Sequence, residues 1–158
     1  MAGHIPFSKV DAWLRATRSM WIATVRRDHK PHLVPVWFYW DSRAIYFNTG
    51  LNTVKRRNLS ATDQVTAHVG DGDDPIIVEG QAHRVVDPDE IARVDQAYRA
   101  KYVDPNSGMT AGYPETDLDV AYRIDIERIM AWEYGTVATR TDFRFDGESW
   151  FGSAPPRT

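Results

Sequence analysis

The chain has 158 residues, 42% of them hydrophobic, no cysteine and a formal net charge of −3. That length suits one domain around one core, and the acidic balance argues against a general nucleic-acid binder. The missing cysteines remove disulfides, thiolate metal sites and thiol nucleophiles. No stretch reaches the ~18 consecutive apolar residues of a membrane span, and the opening MAGHIPFSKVDAWL lacks a signal-peptide core, so a cytoplasmic location is expected.

Ser8 followed by Asp11 is spaced as a capping box, with Asp for the usual Glu. Val10, Trp13, Leu14 and Thr17 then share one helical face, which predicts a helix over Ser8–Thr17. Met20–Val25 reads as a strand, and Asp28-His29-Lys30-Pro31 as its turn. His32–Trp40 is nine residues of mostly β-branched and aromatic type, interrupted by Pro35. Proline cannot donate to a ladder, so Pro35 marks an edge, a bulge or a break. Either the barrel simply bulges there, or ladder groups freed near it face a ligand. Alternation puts Leu33, Pro35, Trp37 and Tyr39 on one face and Val34, Val36, Phe38 and Trp40 on the other. Both faces are apolar, as in a strand covered on both sides.

Asp41-Ser42-Arg43 is a turn and Ala44–Thr49 the next strand, ending in the turn-like Asn48-Thr49-Gly50. A helix over Thr53–Ser60 follows, and its opening is unusual. Acidic residues suit a helix start, where unpaired N–H groups carry partial positive charge. Here the start is Thr53-Val54-Lys55-Arg56-Arg57-Asn58. Cations there cost about 0.3–1 kcal/mol each unless an anion such as phosphate reverses the sign. The plain alternative is a solvated basic face.

Gln64–Val69 is a further strand. The spacing of the loop after it, Asp71-Gly72-Asp73-Asp74, does not fit a calcium loop. Ile76–Val86 is a long strand whose Gly80 predicts a bulge or tight corner. Asp87-Pro88-Asp89-Glu90 is a strong helix start, predicting a helix near Asp89–Tyr102 whose stripe of Ile91, Val94, Tyr98 and Tyr102 belongs to the core. Val103–Asp117 has the length of a functional or disordered loop, on which Met109 and Tyr113 are candidates to cover a ligand. Val120–Trp132 alternates as a half-buried strand, and Thr139–Phe145 as a last short one. Residues 1–146 form the expected single domain, and 147–158, with Pro155-Pro156, an expected frayed tail.

No internal repeat occurs, and no GxGxxG, GxSxG, HExxH or HxxxH spacing. His4, His29, His32, His68 and His83 are dispersed; no metal site is predicted and no catalytic side chain is assigned. Cofactor-borne hydride chemistry needs no such set, because the cofactor carries the reaction and the protein supplies orientation and a dry pocket.

Three segments carry a family resemblance. They are Pro31-His32-Leu33-Val34-Pro35-Val36-Trp37-Phe38, Asn48-Thr49-Gly50, and Thr53-Val54-Lys55-Arg56-Arg57-Asn58-Leu59. Together they resemble the flavin-binding split-barrel family, the pyridoxamine 5'-phosphate oxidase-like proteins, and in particular its short members that use FMN or the deazaflavin (F-420 type) coenzyme. The resemblance implies that the backbone of Val34, Pro35, Val36, Trp37 and Phe38 edges the cofactor ring. It implies that Asn48 and Thr49 contact the phosphate or ribityl chain, and that Thr53, Lys55 and Asn58 complete the site, with Lys55 on the phosphate. Val54 departs from the pattern, standing where many relatives place an Arg; Arg56 or Arg57 substitutes, or the grip differs.

The resemblance further implies a homodimer with cofactor sites at its interface, and six Trp with two apolar strand faces accord with that. Strands outnumber helices, which favours an antiparallel sheet over a parallel one. The expected fold is a mainly β, six- or seven-stranded antiparallel split β-barrel with peripheral helices. The expected function is an oxidoreductase delivering hydride from reduced deazaflavin or FMN to a small organic acceptor. The alternatives are a non-catalytic protein on the same barrel that binds flavin, deazaflavin or a haem-type ligand, and a barrel that has lost its ligand.

Overall fold

The structure, a computed structural model, describes residues 4–134 and 140–154. Its elements run α1 (Phe7–Ala16), β1 (Ser19–Val25), β2 (Pro31–Trp37), β3 (Tyr39–Trp40), β4 (Ala44–Gly50), α2 (Val54–Leu59), β5 (Gln64–Val69), β6 (Ile76–Arg84), α3 (Pro88–Lys101), β7 (Asp119–Ala131), β8 (Thr141–Phe145) and β9 (Trp150–Ser153). Every strand pairing is antiparallel.

The path β2-β1-β5-β6-β7-β4-β3 begins and ends on one chain segment, because only Phe38 separates β2 from β3. A sheet whose two edges are covalently consecutive must curl round on itself, although no ladder closes the seam. This is the expected split barrel. The described residues contain nine strands where six or seven were expected. The expected strand 32–40 is cut in two at Phe38, and β9 is added beyond β8.

The cut lies at Phe38 and not at Pro35. Pro35 pairs in register with Trp21 on an edge strand whose only ladder partner among the described residues is β1, so its missing N–H breaks no ladder there. At Phe38 the backbone leaves the ladder for side chains of α3 and the residue after it. Its N–H donates to the Tyr102 hydroxyl at 2.9 Å, and its carbonyl accepts from Tyr102 at 2.6 Å and from Lys101 Nζ at 2.9 Å. Buried backbone groups need such partners.

Gly80 behaves as its position suggests. The β6–β7 register shifts between Glu79 and Gly80, and a Cβ at Gly80 would lie 2.3 Å from the Asp125 carbonyl oxygen. The bulge lets two strands approach closely at a barrel corner.

Inside the barrel, Ile22, Phe38, Trp40, Phe47, Val78 and Ile124 form the main core, closed by Val10 and Leu14 of α1. Outside it, Val94 and Tyr98 of α3 and Tyr102 just after it pack with Tyr46, Ala121 and Tyr113. The α3 stripe is therefore core, as expected. Tyr113 is 1% exposed and its hydroxyl donates to the Tyr122 carbonyl, which places it in this outer core, while Met109 is exposed.

Two local expectations are corrected. Ser8 does not cap α1, because Pro6 occupies the cap position and Asp11 accepts instead from Trp40 Nε1, at 2.8 Å, and from Ser42 and Arg15. The residues after Asp146 do not fray at once. Asp146 caps a turn, β9 pairs with β8, and Trp150 stacks on Phe7 at 5.3 Å. Thr139 and Pro155-Pro156 lie outside the described residues. Among the described residues no helix is long and apolar enough to cross a membrane.

Candidate functional site

At one end of the barrel, β4 runs through a tight turn into α2. Thr53 is the N-cap: its hydroxyl accepts from the Arg56 N–H at 3.3 Å and donates to the Gly50 carbonyl at 3.0 Å. A hydroxyl has one hydrogen, so the buried Thr49 is the donor in the 2.9 Å contact between Thr49 and Thr53. Asn58, 4% exposed, donates to Thr24 Oγ1 of β1 at 2.9 Å and fastens the back of α2 to the sheet. Asn48 donates to the Gly112 carbonyl at 3.0 Å and ties down the loop before β7. These four polar residues thus build the frame of the junction.

Lys55 is different. It is half-buried and makes no hydrogen bond or ion pair among the described residues, and burial alone pushes its ammonium below the usual lysine pKa. The N–H groups of Val54 and Lys55 also have no acceptor among those residues. Across from it, His32 pairs with Thr24, the residue that Asn58 holds. The His32 imidazole is pushed below its ordinary pKa, first by burial and then by the charges of Arg26 and Lys55. The His32 end of β2, the end of β1 and α2 therefore share one electrostatic environment.

Beside α2 lies an open groove of about 650 Å³ lined by Arg26, Arg27, Arg56 and Arg57, with Val54, Asn58, Ser60 and Asp28. None of the four guanidinium groups has a hydrogen bond or ion pair among the described residues, and Asp28 is turned to Lys30 at 3.6 Å. Sequence reasoning found Lys55, Arg56 and Arg57 but missed Arg26 and Arg27. Their signal was a pair of arginines directly after β1, at a hairpin turn that brings them back beside α2.

The segment Val34–Phe38 runs away from this end. His32 to Trp37 spans about 17 Å at the usual strand rise. Val34 and Val36 pack on the core, Pro35 and Trp37 face outward, and Phe38 is buried at the seam. The structure thus brings Thr49, Thr53, Lys55 and Asn58 together at one end of an open strand edge and leaves Trp37 and Phe38 at the other. Among the described residues no group of three or more His, Asp or Glu is placed to hold a metal.

The opposite flank, under α3, also carries an open groove, of about 600 Å³, but Arg93 and Arg123 on its lining are paired. Arg123 donates to Glu90 at 2.9 Å and Asp125 at 2.7 Å, and Arg93 contacts the Tyr46 hydroxyl at 3.0 Å and Asp41 at 3.5 Å. Burial, with the Asp41 charge, pushes the Tyr46 phenol up to about 12.

An antiparallel barrel split at a seam, with a cationic junction at the end of its open strand, defines the split-barrel class. A family model described as pyridoxamine 5'-phosphate oxidase matches residues 7–133, and the chain belongs to that family. Solved structures agree on the fold. A pyridoxamine 5'-phosphate oxidase-related, FMN-binding protein of Nostoc punctiforme is 14% identical, with a TM-score of 0.67 over 98% of this chain and 100% of that one. A conserved hypothetical protein of Mycobacterium tuberculosis is 24% identical, with a TM-score of 0.65 over 82% and 85%. An F420 reductase is 23% identical, with a TM-score of 0.60 over 75% and 94%. Comparison with curated proteins finds no match.

Proposed function

We propose that the chain is an oxidoreductase that binds a phosphate-bearing flavin or deazaflavin along β2 and delivers hydride from it to a small organic acceptor. The observation that carries this reading is Lys55: a half-buried ammonium at a helix start, without a partner among the described residues, beside two N–H groups without acceptors. Holding a cation there without a counter-charge costs stability, and a phosphate removes the cost. The donor set fits such a group.

Lys55 and the N–H groups of Val54 and Lys55 grip the phosphate, while Thr49, Thr53 and Asn58 hold that end of α2 in place. Asn48 and Thr49 flank the chain leading to the ring, and the Val34–Phe38 backbone, on an edge with no second ladder among the described residues, lines the ring. Four arginines around one groove exceed what a single phosphate neutralises, which favours the more highly charged deazaflavin coenzyme over FMN. Either group, when bound in its reduced form, supplies two electrons and a proton as hydride to an acceptor that takes a second proton from solvent.

The reading includes a cytoplasmic homodimer. Trp21 and Leu33 are about half exposed on the outer face of the β1–β2 hairpin, at 48% and 58%, with Pro35 beside them. Such rings supply much of the energy of an interface. Sedimentation at micromolar concentration is expected to show a dimer; a monomer counts against this part of the reading.

The spectrum of the purified protein tests the whole. A flavin spectrum, or colourless protein that takes up the deazaflavin coenzyme, supports it. A Soret band, or no uptake of either cofactor, contradicts it. Uptake without acceptor-dependent oxidation of the reduced cofactor would leave a binding protein and overturn the enzymatic part.

A further inference from the structure

A second pair of cations, without carboxylate partners among the described residues, lies at the far end of β2. Lys101 is partly buried at the end of α3, and its only hydrogen-bond acceptor among the described residues is the Phe38 carbonyl. Arg18, directly before β1, has no hydrogen bond or ion pair from its side chain among those residues. It lies against two rings, 5.6 Å from the Trp37 centroid and 5.2 Å from that of Tyr102. Those rings are stacked, 4.8 Å apart and 2° from parallel, and Trp37 is 47% exposed. Nearby acids are engaged elsewhere: Asp11 is turned to Arg15, Trp40 and Ser42. A cavity of about 190 Å³ opens beside Lys101, lined by Arg15, Tyr39 and Trp40.

We infer that Arg18, Lys101 and the outward Trp37 ring form the acceptor subsite, which takes a planar organic acid by its carboxylate. The inference rests on the cofactor reading above only for the word acceptor; the anion subsite stands on its own geometry. Two like charges held together over aromatic rings, with no carboxylate between them, are stabilised by a shared anion. A planar acid places its carboxylate between the ammonium and the guanidinium and its ring against Trp37, where ring stacking adds contact area. Trp37 adjoins Phe38, so this subsite lies at the ring end of the proposed cofactor strand, where hydride is delivered.

Burial, and then the Arg18 charge, lower the Lys101 ammonium to about 8. The other charged or titratable groups around it are Arg15, Tyr39 and Tyr102. Acid binding is therefore strongest between about pH 5, where the carboxylate is ionised, and about pH 7, and weakens through about pH 8 as the ammonium is lost.

The test uses 2-naphthoate and its neutral analogue 2-naphthamide, titrated calorimetrically into the full chain with and without FMN or the deazaflavin coenzyme. Naphthoate is expected to bind at least about ten-fold more tightly than naphthamide, the value of one charge-assisted contact. Arg18→Gln and Lys101→Gln should each remove about ten-fold of naphthoate affinity and leave naphthamide unchanged; glutamine at 101 keeps a donor for the Phe38 carbonyl. Equal affinity for acid and amide, or undiminished naphthoate binding in both variants, overturns the inference. An Arg18→Gln protein that loses cofactor and naphthoate affinity in equal measure also overturns it, because Arg18 then serves the cofactor. Charge discrimination in a protein that binds neither cofactor upholds the subsite while the cofactor reading falls.

Discussion

Two charged regions flank the same barrel, and they differ in whether their charges are matched. Under α3, Arg93 and Arg123 meet Asp41, Glu90, Asp125 and the Tyr46 hydroxyl at 2.7–3.5 Å. At α2, four arginines line one groove and Lys55 is half-buried on the same helix, none of the five with an ion-pair partner among the described residues. Matched charges explain themselves: they satisfy one another and fasten a helix to a sheet. Exposed arginines are satisfied by water, but a half-buried cation such as Lys55 gains from a counter-charge outside the chain, which is why the candidate site is placed at α2, although both regions are rich in arginine.

The contrast breaks most visibly under α3. Arg123→Met leaves Glu90, a largely buried carboxylate, without its guanidinium. The expected loss is about 1–2 kcal/mol, below the range for fully buried pairs because Arg123 is partly exposed. Urea unfolding should record that loss while cofactor affinity stays at the wild-type value. Loss of affinity with unchanged stability would reverse the roles assigned to the two regions.

At α2 the opposite pattern is expected. Arg26→Gln with Arg57→Gln should leave unfolding unchanged or slightly more favourable to the folded state, because like charges are removed. It should weaken the deazaflavin coenzyme about ten-fold and flatten the salt dependence of its binding, since the lost contacts are screened ones. Wild-type affinity and an unaltered salt slope would show the groove to be solvated surface.

A smaller effect sharpens the comparison through pH. The Lys55 ammonium lies below lysine's ordinary 10.5 because of burial. Well below that range both folded and unfolded chains are protonated, and the folded state carries the whole desolvation cost. As pH rises towards 10.5 the folded chain releases its proton first, the unfolded chain binds more protons, and stability rises. Lys55→Met removes the cost at every pH. Its unfolding free energy should therefore exceed wild type at neutral pH, with the gap closing as pH approaches ten. A gap independent of pH would mean that Lys55 is solvated.

Much of this architecture was legible because its signals are local. Asp87-Pro88-Asp89-Glu90 announced α3, and Asp87 is indeed its cap. The helix expected over Thr53–Ser60 is α2, with Thr53 as its cap, and Gly80 marked the bulge. The failures share one physical cause, a partner distant in sequence. The seam falls at Phe38 because Tyr102, 64 residues on, takes its N–H, and no periodicity within the strand reports that. Trp150 packs against the core because Phe7 of α1, more than 140 residues earlier, stacks on it. Lys55 was visible as a cation misplaced at a helix start. Arg26, Arg27, Arg18 and Lys101 were not, because only the folded barrel shows that no carboxylate among the described residues reaches them.

The central claim is that Lys55 holds an anion of the cofactor, and one titration tests it most directly. FMN and the deazaflavin coenzyme are titrated at low salt into wild type and Lys55→Met, with far-UV circular dichroism confirming that the fold is intact. A charge-assisted contact is worth about 1.5–3 kcal/mol, so the variant should bind whichever cofactor the wild type takes about 10- to 150-fold more weakly. Equal affinities in the two proteins would show Lys55 to be an ordinary surface charge and would contradict the account.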